Sequence, residues 1–139
     1  VRVVIDTNVL VAAVRSKRGA SFQVLSRIGT GAFDLAVSVP LVLEYEAALL
    51  RQLQVASLTA DDMSTIVDYI CLIAQHQPIF FLWRPLLRDP DDDMVAEVAI
   101  AGACDAVVTH NRRDFEGVAP LGVRVLSPAD FLKEIGGSQ

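Results

Sequence analysis

Histidine and cysteine are scarce in this chain of 139 residues, with two of each. Cys71 and Cys104 sit in apolar stretches without zinc-ligand or disulfide-framework spacing, so they read as buried reduced thiols. His76, near a helix end, and His110, in a loop, read as structural or exposed residues rather than ligands. Long apolar runs are also missing. The start, Val1 to Val14, is interrupted by Arg2, Asp6 and Asn8, has no basic leader before it and is too short to span a bilayer. A soluble cytoplasmic protein without membrane association is expected. Positive charge is in deficit, with 12 basic against 17 acidic residues and a net charge of −5. That balance excludes nucleic-acid binding by bulk field alone, so any polyanion partner needs local help.

Familiar catalytic patterns are absent as well. There is no Gly-x-Ser-x-Gly elbow and no Ser-His-Asp order, which leaves nucleophilic acyl transfer without support. Gly29-Thr30-Gly31-Ala32 follows a helix rather than a strand and lacks a third glycine, so it is no dinucleotide loop, and no Walker loop occurs. An aspartyl-phosphate mechanism at Asp6 wants a second aspartate two residues on, where Asn8 stands.

What is present is a sizeable apolar fraction, 53% against 21% charged, in a chain of single-domain length. Val3–Ile5 reads as a buried strand ending at Asp6. Further strands are expected at 35–38, 79–83, 106–109 and 123–126. Helices are expected at 7–14, 20–28, 40–53, from the Thr59-Ala60-Asp61-Asp62 capping signal onward, at 92–103 and after Ser127-Pro128. Strands alternate with helices, without a linker or an internal repeat. This pattern predicts an α/β fold: a three-layer α/β/α sandwich with a central, mostly parallel sheet. In such sheets ligands bind beyond the carboxyl ends of the strands, near the topological switch, so polar residues just after strands carry the most weight.

Asp6 follows the first strand and is either a helix cap or a metal-binding carboxylate. Glu44 and Glu46 lie about equally far from the apolar stripe of Leu41, Tyr45, Ala48 and Leu49, and periodicity does not choose between them. Asp89-Pro90-Asp91-Asp92-Asp93 opens a helix with more carboxylates than a cap or the helix dipole needs. Asp92 aligns with Val95 and Ala99 and is the expected inward carboxylate, whereas Asp93 aligns with Ala96, Glu97 and Ile100. Thr109-His110-Asn111-Arg112-Arg113-Asp114-Phe115 follows another strand. These are oxygen donors, which suit magnesium or manganese rather than zinc.

Taken in order, Val4-Ile5-Asp6-Thr7-Asn8-Val9-Leu10, Ser38 with Glu44 six residues on, the Asp89–Asp93 cluster, Val108 through Phe115, and Val125-Leu126-Ser127-Pro128 resemble the PIN domain family. These metal-dependent nucleases include the VapC-type toxins of bacterial toxin–antitoxin pairs, and the resemblance spans nearly the whole chain as a single nuclease domain with Rossmann-like topology. It implies a catalytic and metal-holding core of Asp6, Glu44 and Asp92, and so favours Glu44 over Glu46. Either Asn111, through its carbonyl, or Asp114 completes the site. Thr7, Asn8 and Thr109 become supporting polar groups, and Asp93 assists or only caps. One or two Mg2+ or Mn2+ ions are implied, acting in hydrolysis of single-stranded RNA without a covalent enzyme intermediate. An antitoxin partner, seated in the site or a neighbouring groove, is implied too. Setting aside Asp6, Glu44, Asp92 and Asp114 leaves 13 acids against 12 bases. The basic loops Arg15, Lys17, Arg18 and Arg112, Arg113 are candidate RNA contacts, with a solvated surface as the even alternative. Homodimerisation is expected through the helical segment Thr59 to Gln77 or its neighbour. The competing classes are a PIN-like binding module with little or no hydrolysis and a metal-dependent phosphatase of small esters.

Overall fold

The computed structural model describes residues 1–79, 87 and 90–136. In chain order the elements are β1 (Arg2–Ile5), α1 (Thr7–Arg15), α2 (Ala20–Ser26), β2 (Asp34–Val37), α3 (Val39–Leu50), α4 (Ala60–Ile73), β3 (Gln75–His76), α5 (Pro90–Ala101), β4 (Ala106–Val108), a 3-10 segment (Arg112–Leu121), β5 (Arg124–Leu126) and α6 (Pro128–Glu134). The strands form one five-stranded sheet in the order β3-β2-β1-β4-β5, and every adjacent pair is parallel.

The central strands are β-branched runs buried on both faces. Val3, Val4 and Ile5 of β1 and Ala106, Val107 and Val108 of β4 are all inaccessible, as expected of a parallel sheet covered on two sides. Helix α1 packs on both α2 and α3, α3 packs on α4 and α6 on α2, while α5 packs on β1, β4 and the 3-10 segment. The order in which strands are added reverses between β1 and β4, outward through β2 and β3 on one side and then through β4 and β5 on the other. That is the switch point at which a crevice opens.

Local chemistry sets the element ends. Ser38 accepts the Leu41 N–H at 3.3 Å at the start of α3, with Pro40 in the first turn. Thr59 and Asp62 exchange reciprocal side-chain and backbone hydrogen bonds of 3.1 and 2.9 Å, a complete capping box for α4. Ser127 accepts the Asp130 N–H at 3.1 Å and starts α6. Helix α2 stops at Ser26, two residues short of the expected end, and Gly29 then takes a φ of +81° that turns the chain away.

The third strand among the described residues lies ahead of the segment 79–83, where a strand is expected. It is the two-residue β3, which pairs with β2 as Ala36↔Gln75 and Val37↔His76. The Gln77 N–H donates to the Val37 carbonyl at 2.7 Å, and Pro78 has no N–H with which to continue the ladder. Ile79 lies outside the strand, and residues 80–83 lie outside the described residues. Helix α5 opens at Pro90, two residues earlier than expected, so Asp92 falls within its first turn. No described helix is long and apolar enough to cross a membrane.

Candidate active site

A cleft of about 280 Å³ lies at the carboxyl end of the sheet, and its lining includes Asp6, Glu44, Asp92, Asn111 and Arg51. Four separate parts of the chain supply these side chains. β1 delivers Asp6, the middle of α3 delivers Glu44, the first turn of α5 delivers Asp92, and the turn after β4 delivers Asn111. Thr7 and Asn8, in the first turn of α1, also reach the cleft. The first turns of two helices, α1 and α5, thus contribute to its lining.

Asp6 occupies the position before α1 where an aspartate commonly caps a helix, yet its side chain makes no capping hydrogen bond. Its Oδ2 instead accepts the Thr109 hydroxyl at 2.7 Å, across the switch point. The same hydroxyl oxygen accepts the Asn111 N–H at 3.0 Å, so Thr109, itself fully buried, ties the turn bearing Asn111 to the carboxylate. Burial raises the Asp6 pKa above its ordinary value. The Thr109 hydroxyl and the Thr7 and Asn8 amides oppose that rise, and the charge of Asp114 adds to it. Below the carboxylate, the Tyr45 hydroxyl donates to the Ile5 carbonyl. Burial first, and then the Asp6 charge, hold that phenol well above its usual range.

Glu44 and Glu46, which periodicity left equivalent, occupy different surroundings. Glu44 is half-buried at the cleft and meets Arg51 at 3.4 Å. Glu46 is exposed, and its charge bears on Cys71 instead. The inward side of α5 also differs from the expectation. Asp93 is buried and accepts the Leu87 N–H at 2.9 Å, while Asp92 is only half-buried and lines the cleft. Because Val95 to Ala99 are buried without interruption, α5 has no single inward face from which periodicity could choose.

Asn111 lines the cleft; Asp114, on the exposed start of the 3-10 segment, does not, although its charge reaches Asp6. Neither histidine takes part. His110 Nε2 pairs with the Ser21 hydroxyl at 2.6 Å, its own N–H reaches Asn8 Oδ1 at 3.4 Å, and His76 Nε2 meets the Cys71 carbonyl at 2.8 Å.

The basic loops do not line this cleft. Arg15 and Lys17 border an apolar cavity of about 540 Å³ formed with Phe22, Leu25, Leu58 and Ile66. Arg18 is exposed and lines neither cavity. Arg112 and Arg113 border a third cavity beside β5, and Arg112 pairs with Asp130 at 3.7 Å. The cation that does line the cleft, Arg51, is absent from the residues the sequence points to. Its signal is spacing: Glu44, Ala48, Arg51 and Gln52 recur at helical intervals and share one face of α3 and its end.

Asp6, Glu44, Asp92 and the Asn111 carbonyl form an all-oxygen donor set, which suits a hard divalent cation. Among the described residues, no three His, Cys, Asp or Glu side chains converge closely enough to hold an ion together. Consistent with that, Glu44 is turned toward Arg51.

A parallel sheet with this strand order, bearing acidic residues at its switch point, defines an α/β domain with an acidic cleft. The sequence profile of the PIN domain matches residues 2–113, and the chain belongs to the PIN domain family, whose members are generally nucleases. Among solved structures, it is similar to a chain in the crystal structure of VapBC2 from Rickettsia felis bound to a DNA fragment from their promoter. The TM-score is 0.63 at 15% identity, over 91% of this chain and 98% of that one. At that identity the likeness speaks for the fold. A comparison with curated protein sequences finds no significant match.

Proposed function

We propose that this protein is a divalent-metal-dependent endoribonuclease that hydrolyses single-stranded RNA, and the toxin component of a type II toxin–antitoxin pair. The observation that carries this reading is the meeting of Asp6, Glu44, Asp92 and Asn111 from four distant segments in one cleft at the sheet switch. Membership of the PIN domain family supports nuclease chemistry, and the VapBC2 neighbour is itself a toxin–antitoxin assembly.

In this reading Asp6, Glu44, Asp92 and the Asn111 carbonyl hold one or two Mg2+ or Mn2+ ions. Bound there, the ions would activate water and offset charge on the attacking and leaving oxygens of an in-line displacement. Asp6 must be ionised to serve. The Thr109 hydroxyl and the Thr7 and Asn8 amides favour that charged form against the cost of burial. Thr109 also fixes the direction of the Asp6 carboxylate and the Asn111 turn, as the outer partners of metal-holding groups do. Asp114 adds negative charge from outside the cleft, and Asp93 anchors the backbone at Leu87.

The partners follow from the same reading. The apolar cavity rimmed by Arg15 and Lys17 would seat an apolar, acidic stretch of an antitoxin. A second copy would cover the exposed apolar side chains of α4, Tyr69, Leu72 and Ile73, Leu72 being 79% accessible.

Cleavage of labelled single-stranded RNA with Mg2+, Mn2+ or chelator, by the wild type and by Asp6→Asn and Asp92→Asn, tests the assignment. Metal-dependent cleavage lost in both variants supports it. Equal activity in all three sinks it. Inactivity on several RNAs turns the weight to a binding module, and hydrolysis of small phosphate esters alone turns it to a phosphatase.

A further inference from the structure

Arg51 closes α3. Its N–H donates to the Ala47 carbonyl at 3.2 Å, which anchors its backbone at the end of the helix. The guanidinium is 64% accessible and makes a single contact of 3.4 Å with Glu44, whose side chain is 24% accessible. An exposed, one-point ion pair of that length contributes little and exchanges readily. Arg51 is nevertheless the one cation among the described residues lining the cleft, against three carboxylates. The basic side chains at 15, 17, 112 and 113 border other cavities.

We propose that Arg51 is a positioning residue with two alternating partners. In the ion-free protein it neutralises Glu44; when a divalent cation takes Glu44, the guanidinium turns to a backbone phosphate of the bound RNA strand. This rests on the nuclease reading and gives the cleft local positive charge. A planar fork suits a phosphate oxygen pair better than an ammonium does. Glu44 thereby couples the two ligands, because the cation that captures it releases the arginine for RNA. Metal and RNA then bind cooperatively, while Arg51 competes with metal alone.

The test uses wild type, Arg51→Gln and Arg51→Lys, with the melting temperature confirming the fold of each. Mn2+ binding is read by electron paramagnetic resonance, and binding of an uncleavable 2′-O-methyl RNA by fluorescence anisotropy with Ca2+ across a salt series. Arg51→Gln should bind Mn2+ about threefold more tightly, as expected on removing a weak exposed competitor. It should bind the RNA roughly tenfold more weakly, with the salt slope reduced by about 0.7, one phosphate contact on a single strand. Arg51→Lys should restore the slope and part of the affinity. Unchanged Mn2+ and RNA binding in Arg51→Gln, with a wild type that binds both, overturns the role of Arg51 and leaves the nuclease reading standing. A wild type that binds no Mn2+ and cuts no RNA overturns both.

Discussion

Asp6 carries a conflict between folding and chemistry. Its carboxyl is buried, and burial raises its pKa above the ordinary value, so folding favours the protonated form relative to the unfolded chain. Stability from this group is therefore fully present below its unfolded pKa of about 4 and is lost as pH rises through the folded pKa. At neutral pH the ionised side chain works against the fold. Asp6→Asn should accordingly raise the melting temperature at pH 7, with the gap to wild type closing as pH falls toward 4, while cleavage drops by roughly 100-fold or more. Added Mg2+ or Mn2+ should raise the melting temperature of the wild type by mass action and leave that of the variant almost unmoved. Differential scanning fluorimetry over a pH and metal grid reads all three effects, and a variant less stable than wild type at pH 7 would contradict the account.

Thr109 is the second residue on which the site turns. Its hydroxyl donates to Asp6 and accepts from the Asn111 N–H. Thr109→Val keeps the volume but strands both partners, at a cost of about 1–3 kcal/mol by denaturant unfolding. Loss of a hydrogen bond that lowers the Asp6 pKa should also move the acidic limb of the pH–rate profile upward. Activity should fall about 10- to 100-fold.

Among the elements, α4 and the end of α2 show how separate stability can be from the site. Thr59→Ala removes half of a capping box remote from the cleft and should cost about 1 kcal/mol while leaving kcat unchanged. Gly29→Ala forces a Cβ into a left-handed backbone and to within van der Waals overlap of the Tyr69 hydroxyl, which donates to the Ile28 carbonyl. A loss of about 1–2 kcal/mol is expected from the backbone conformation alone, again with kcat intact. Elements of this kind were legible in the sequence because their signals are local: the Thr59 to Asp62 cap, the Ser127-Pro128 start and the β-branched runs at Val3 and Val107. Less legible was whatever depends on a neighbouring element. The length of β3 is decided by where Gln77 and Pro78 meet β2. The roles of Asp92 and Asp93 are divided by Leu87 and by burial all around α5. Glu44 is separated from Glu46 only by which side of α3 faces the sheet end.

For the whole molecule, charge is organised by region. Asp6, Glu44 and Asp92 line the cleft at the sheet end, whereas Arg15, Lys17, Arg112 and Arg113 border other cavities. That partition left Arg51 unmarked in the sequence, since seven residues separate it from Glu44 and only a helix brings them to one face. The outward side of α4 makes a further prediction at this scale. Leu72→Asp places a charge on its most exposed apolar position and, on the proposal that a second copy covers α4, should shift the protein to a monomer in light scattering with the fold preserved.

The hydrogen bond between Thr109 and Asp6 joins residues 103 positions apart, and the cleft needs side chains spread from Asp6 to Asn111. A nascent chain that has emerged only through α5 therefore carries three of the acids and still has no assembled centre. The cleft is complete only once β4 lies beside β1, so a cut between α5 and β4 that lets the two halves of the sheet part should disperse its lining.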